Sequence, residues 1–161
     1  MGSQKYALAA FLEGRCPHAV YLRWLDRKAR AHVKRDRKRG NAGANREAYM
    51  VAIHAAVLAS GGLDEYTGAP LAWEQISSWD NEASRAGRRA YKKTFADLPT
   101  VDHVGDGSGS ASFVMCGWRT NDCKSDLSRD EFVEFCRSVV AHHDEVEAAR
   151  PNAPAPDGRR P

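Results

Sequence analysis

Asp102 and His103 stand side by side, and nineteen positions after Asp102 comes the segment Asn121-Asp122-Cys123-Lys124-Ser125-Asp126. A carboxylate and an amide oxygen are hard donors of the kind Mg²⁺ takes, so Asp102 and Asn121 are the candidate metal ligands. The chemistry needs a strand carrying Asp102-His103, a turn, a returning strand and a short helix carrying Asn121 and Lys124. Such a ββα unit can hold one hard cation. His103 follows Asp102 directly, so in an ideal pleat it points to the opposite face. A twisted or bulged strand end is needed to bring both toward one phosphate.

The surrounding pattern supplies those elements. Thr100 to Val104 is a short β-type run, Gly105 to Ser110 a glycine-serine turn, and Ala111 to Trp118 a second run containing Phe113, Val114 and Met115. This reads as a hairpin with a long, flexible tip. Thr120 or Asn121 is the expected cap of a brief helix through Asp126. Ser128-Arg129-Asp130-Glu131 is a capping box opening a last helix, with Phe132, Phe135, Cys136, Val139 and Val140 expected on its core face.

Upstream, Leu8, Phe11 and Leu12 mark a short helix, and Pro17 suits the first position of a second. There Val20, Tyr21, Trp24, Leu25, Ala29 and Val33 form an apolar stripe. Asn45 is the expected cap of a third helix, lined by Tyr49, Met50, Ile53, Ala56 and Val57 and stopped at Gly61-Gly62. Tyr66 to Leu71 is turn chemistry, and Trp73, Ile76 and Trp79 mark a short helical or irregular segment. A basic cluster, Arg85, Arg88, Arg89, Lys92 and Lys93, precedes Pro99. The expected organisation is a helical basic region over 1–62, a catalytic core over 63–147 and a disordered Pro- and Ala-rich tail over 148–161.

Charge divides along the same line. Up to Ser60 there are 12 Lys/Arg against 4 Asp/Glu, and beyond it 12 against 17, so the net +3 is a sum of +8 and −5. On the second helix Arg23, Arg27, Arg30, Lys34 and Arg37 recur at steps of four and three and make one ridge. Nine Lys/Arg against two Asp between Arg23 and Arg39 point to contact with phosphates rather than a merely solvated face. With 42% apolar residues and no apolar run approaching a membrane span, one globular, non-membrane domain is expected. Four scattered cysteines and no secretory signal at the N-terminus make a reducing, cytoplasmic setting the default.

Taken together, Asp102-His103, the hairpin and the closing Asn-x-x-Lys-Ser-Asp resemble the HNH (ββα-metal) nuclease family, over roughly residues 63–143 and including Tyr66-Thr67-Gly68. The closing motif is similar to that of the HNH domains of RNA-guided CRISPR nucleases. The resemblance implies an α+β fold with a ββα-metal core, and an endonuclease that hydrolyses DNA phosphodiester bonds. In that family pattern His103 is the general base, Asp102 and Asn121 hold a single Mg²⁺ or Mn²⁺, and Lys124 and Arg119 contact phosphate oxygens. Two departures stand out. The residue that orients the base is expected about nine positions before the closing asparagine, where this chain has Ser112. Paired Cys-x-x-Cys knuckles are absent, so the resemblance is to the zinc-free type and structural zinc is not expected.

Simpler motifs do not account for these residues. Glycines 105, 107 and 109 are not followed by the Gly-Lys-Ser/Thr of a phosphate loop, and an EF-hand starting at Asp102 would place Phe113 where a glutamate is required. The four tryptophans and His54 are expected in the core. Two alternatives to a DNA nuclease stand: a non-catalytic nucleic-acid-binding module of the same fold, and an RNA-cleaving nuclease or toxin.

Overall fold

A computed structural model describes residues 5–150 of the chain. Among them are five helices and a two-stranded antiparallel sheet, an α+β arrangement. The chain falls into two units, one up to Ser125 and one from Asp126 onward. Among the described residues no helix is long and apolar enough to cross a membrane.

The first unit opens with a 3₁₀ turn at Ala10–Leu12, followed by α1 (His18–Lys38) and α2 (Arg46–Ser60). Pro17 is the cap of α1 rather than its first residue. Tyr21, Trp24, Leu25, Ala29 and Val33 on α1 meet Tyr49, Met50, Ile53, Ala56 and Val57 on α2 in one buried cluster with Leu12, Leu71 and Trp73. Asn45 caps α2 by accepting the Ala48 N–H, and Gly61, at φ 57°, ends it in the left-handed region where a side chain would be strained.

A further 3₁₀ turn at Trp73–Gln75 leads to α3 (Asn81–Lys93), the basic cluster, which has no buried residue. Strands β1 (Pro99–His103) and β2 (Phe113–Gly117) pair in regular antiparallel register, with Asp102 opposite Val114 and His103 opposite Phe113. Sheet and α2 pack together through β2, and α4 (Trp118–Lys124) packs on both strands.

The cap expected at Thr120 or Asn121 is not where α4 begins. The helix starts at Trp118, straight out of β2, and ends at Lys124, two residues short of the expected end. Its first free N–H groups are taken by backbone: Trp118 donates to Leu98 O at 2.9 Å and Arg119 to Ala96 O at 2.9 Å. No capping side chain is needed when the chain before β1 supplies the acceptors.

The second unit is α5 (Arg129–Ala149), opened by the expected capping box of Ser128 and Glu131. Its expected core face is not buried. Phe135, Val139 and Val140 are 57%, 54% and 58% exposed, and no α5 residue is buried. Apolar residues at helical spacing define a face but carry no information about what covers it. α5 also takes in residues 148 and 149, the start of the expected tail; residues 151–161 lie outside those described.

Candidate active site

The pleat of β1 sends its residues to two environments. Asp102 and Thr100 share one face, His103 and Val101 the other. The regular register leaves no bulge at the strand end, so Asp102 and His103 are not brought together.

On the Asp102 side, α4 supplies the counter-charge. Lys124 Nζ lies 3.1 Å from Asp102 Oδ2, and the same oxygen accepts the Tyr66 hydroxyl proton at 2.6 Å. Asp102 and Lys124 are both buried, and a buried ion pair persists only with such hydrogen-bonding support. Tyr66 is held in place by Asp64, whose buried carboxylate accepts the N–H groups of Tyr66 at 2.8 Å, Thr67 at 3.0 Å and Gly117 at 2.7 Å. Asp64 therefore ties the Tyr66-Thr67-Gly68 turn to the end of β2. Two residues before Asp102, Thr100 Oγ1 accepts a hydrogen bond from Lys28 on α1 at 2.8 Å. Burial, helped by the neighbouring Arg27 charge, pushes the Lys28 ammonium down to about 8. Asn121 stands on α4 one turn before Lys124 and is partly buried.

Two oxygen donors of the type a hard cation takes, Asp102 and Asn121, thus lie on adjoining elements. The Lys124 ammonium stands in for a cation on Asp102: the environment accommodates positive charge against this carboxylate. Asp102 and Asn121 are the residues that could hold a divalent ion, which would have to displace that ammonium.

On the His103 side, the partner is one the sequence reading did not single out. His103 Nε2 lies 2.7 Å from Oδ2 of Asp36, a fully buried carboxylate in the last turns of α1, and Tyr49 OH donates to the same oxygen at 2.7 Å. An ionised carboxylate only accepts, so against an ionised Asp36 it is Nε2 that donates. Burial and this carboxylate together push the Tyr49 phenol up to about 12. The ring of His103 also packs at 4.8 Å from Phe113 and 4.7 Å from His32. His32 is buried and accepts from Arg35 at 2.6 Å, and burial holds its imidazole far below the usual histidine range. The glycine-rich tip closes over this cluster. A Cβ at Gly107 would lie 2.8 Å from Asp36 Oδ1, and Asn41 Nδ2 donates to the carbonyls of Gly107 and Gly109, both at 3.0 Å.

Ser112, expected to orient the base, is exposed just before β2, where its carbonyl accepts the Val104 N–H. Asp36 orients His103 instead. A sequence signal for it existed: Asp36 is in helical phase with Ala29 and Val33, a carboxylate where the apolar stripe calls for a hydrophobe.

Arg23, Arg27, Arg30, Lys34 and Arg37 are all exposed along α1. Two of them are engaged within the chain: Arg30 pairs with Asp26 at 2.9 Å and Arg37 Nε donates to Ala44 O at 2.9 Å. Arg119 is exposed on α4, where it lines a groove with α3. Of the tryptophans, Trp24 and Trp73 are in the core, whereas Trp79 and Trp118 are half-buried and pack on each other with ring centroids 6.1 Å apart. His54 is a half-buried packing residue, bonded to Tyr21 OH at 2.6 Å. In comparisons with protein-family models, curated proteins and solved structures, none matches the chain.

Proposed function

We propose that the chain is a metal-dependent endonuclease of the HNH (ββα-metal) type that hydrolyses DNA phosphodiester bonds. The observation that carries this reading is the β1–β2–α4 unit, a hairpin running directly into a helix, with Asp102 on the first strand paired to α4 and His103 braced by a buried carboxylate. With Asp36 ionised, His103 donates from Nε2 and accepts a proton from water at Nδ1. The water oxygen forms a bond to phosphorus, the bond from phosphorus to the leaving sugar oxygen breaks, and that oxygen takes a proton from solvent. Asp102 and Asn121 are the residues that would hold Mg²⁺ or Mn²⁺, which when bound would supply positive charge to offset the negative charge developing on the phosphate. Lys124 would contact a phosphate oxygen once released from Asp102, and Arg23, Arg27 and Lys34 would grip the backbone without reading sequence.

Asp102 and His103 act on one phosphate only if the end of β1 twists enough to present Nδ1 toward the Asp102 side while Nε2 stays on Asp36. His103 is the terminal strand residue, and Gly105, at φ 95°, begins the loop two positions on. The same geometry favours one second reading, a non-catalytic nucleic-acid-binding module, because Asp102 is neutralised by Lys124 and His103 is engaged by Asp36. Incubation with plasmid DNA and Mg²⁺, with and without chelator, separates the two. Metal-dependent cleavage lost in His103→Ala supports the nuclease. An inactive wild type, or a His103→Ala variant that cuts equally well, overturns it, and a parallel RNA substrate shows which nucleic acid is preferred.

A further inference from the structure

Helix α3 is out of keeping with the rest of the first unit. Over thirteen residues it buries none, so an apolar face does not explain its presence. What fastens it is aromatic: Tyr91 packs on Trp79 and Phe95, and its hydroxyl accepts the Asp80 N–H at 2.9 Å. The helix is broken at Arg88, whose φ of 44° and ψ of −122° lie outside the space a side-chain-bearing residue favours. Gly87 is required beside the break, since a Cβ there would meet Tyr91 Cβ at 2.7 Å. Strain of this kind is retained where surrounding structure or function demands it.

Between α3 and α4 lies a groove of about 1290 Å³. Its walls carry Arg85, Arg88, Arg89, Lys92, Lys93 and Arg119, with Asp122 the single acid. Among the described residues none of these six cations makes an ion pair, in contrast to Arg30 on α1. Like charges three and four positions apart repel on a helix, so α3 presents an arrangement that is unfavourable alone and relieved by a polyanion. Half-buried Trp118 lines the same groove, backed by Trp79, and offers an apolar surface of the kind on which bases and sugars stack.

We propose that the α3–α4 groove is a second nucleic-acid site, separate from the α1 ridge, that takes one phosphodiester strand across its cations and Trp118. The inference rests on the reading of the chain as acting on DNA. It adds a surface on α4, the helix that also carries Asn121 and Lys124.

The test is fluorescence anisotropy of the full chain with labelled single-stranded and duplex oligonucleotides, in chelator, at salt from about 50 to about 200 mM. Replacing Arg88, Arg89, Lys92 and Lys93 together by serine is expected to lower the slope of log affinity against log salt by about 3. Trp118→Leu is expected to weaken single-strand binding about tenfold with the slope unchanged. The pair Arg89→Gln and Lys92→Gln, milder and confined to exposed positions, should lower the slope by about 1.5. A wild-type slope in the fourfold and twofold variants overturns the groove, as does a wild-type chain that binds phosphatidylserine vesicles and no oligonucleotide. Because binding is read without metal, loss of the catalytic reading and loss of the groove are distinguishable. A chain that fails to cut plasmid and still shows the slope change retains the groove; one that cuts and shows none loses it.

Discussion

Asp36 and His103 stand 67 residues apart in sequence, yet the carboxylate of one lies 2.7 Å from Nε2 of the other. Asp36 Oδ2 also takes the Tyr49 hydroxyl proton, so α1, α2 and β1 are joined at a single buried oxygen. Asp36→Ala leaves two buried donors without an acceptor and is expected to cost about 2–5 kcal/mol in urea denaturation. Asp36→Asn keeps the shape but sets an amide against His103. If His103 is the base, this milder variant stays folded and loses about a hundredfold in cleavage rate. Cleavage at the wild-type rate in a folded Asp36→Asn protein would mean that the pair is only a brace.

Lys124 and Asp102 make the complementary case. Removing the ammonium in Lys124→Met leaves a buried carboxylate supported by Tyr66 alone, a loss of about 3–5 kcal/mol. If Asp102 is a metal ligand, Mn²⁺ restores part of that stability by binding the folded state only, and the melting temperature of Lys124→Met rises with Mn²⁺ more steeply than that of the wild type. Adding Asp102→Asn abolishes the rise. Thermal melts across a Mn²⁺ titration decide it: a flat response in Lys124→Met assigns Asp102 to the lysine and not to a metal.

His32 gives the fold a pH dependence whose sign follows from its burial. The imidazole is held far below the usual histidine range, first by burial and then by the Arg35 charge. The unfolded chain takes up a proton near pH 6.5 that the folded chain refuses, so stability falls as pH drops below about 6.5, by up to about 1.4 kcal/mol per pH unit. His54, lowered by burial, acts in the same direction. Phenylalanine suits the His32 site, which already packs edge-on against Phe113 with centroids 5.0 Å apart. In urea denaturation at several pH values, His32→Phe is expected to have a shallower acid limb than the wild type, leaving the contribution of His54. Superimposable limbs would contradict the assignment.

Local signals made much of this architecture legible. Asn45, the stripe from Tyr49 to Val57 and the stop at Gly61 place α2 entirely, because cap, apolar period and left-handed glycine agree. The hairpin and the Ser128 capping box are equally local. Elements whose causes are distant were not legible. The start of α4 depends on carbonyls of Ala96 and Leu98, and α3 has no apolar period to announce it. The site shows the same division. Asp102 and His103 were singled out from residue type, whereas Tyr66 and Asp36, which decide what those two groups face, are brought in by long-range contacts.

Asn41 tests whether the hairpin tip belongs to the site. Its amide donates to the carbonyls of Gly107 and Gly109, just beyond the end of α1, while Gly107 sits close enough to Asp36 Oδ1 that a side chain would collide with it. Asp106 shapes the loop locally by accepting from the Ser108 N–H and hydroxyl, and the two Asn41 bonds, with a longer one from Arg39 to the Asp106 carbonyl at 3.4 Å, hold the tip over the His103 pair. Asn41→Ala removes its two bonds, at about 0.5–1.5 kcal/mol each. Global stability should fall by no more than their sum, while amide exchange over residues 105–110 accelerates and α2 keeps its protection. Gly107→Ala should loosen the same segment from the other side, since the new methyl group meets the Asp36 carboxylate. If exchange in the tip is unchanged in both variants, the tip is held by something other than Asn41, and its closeness to Asp36 has no part in positioning His103.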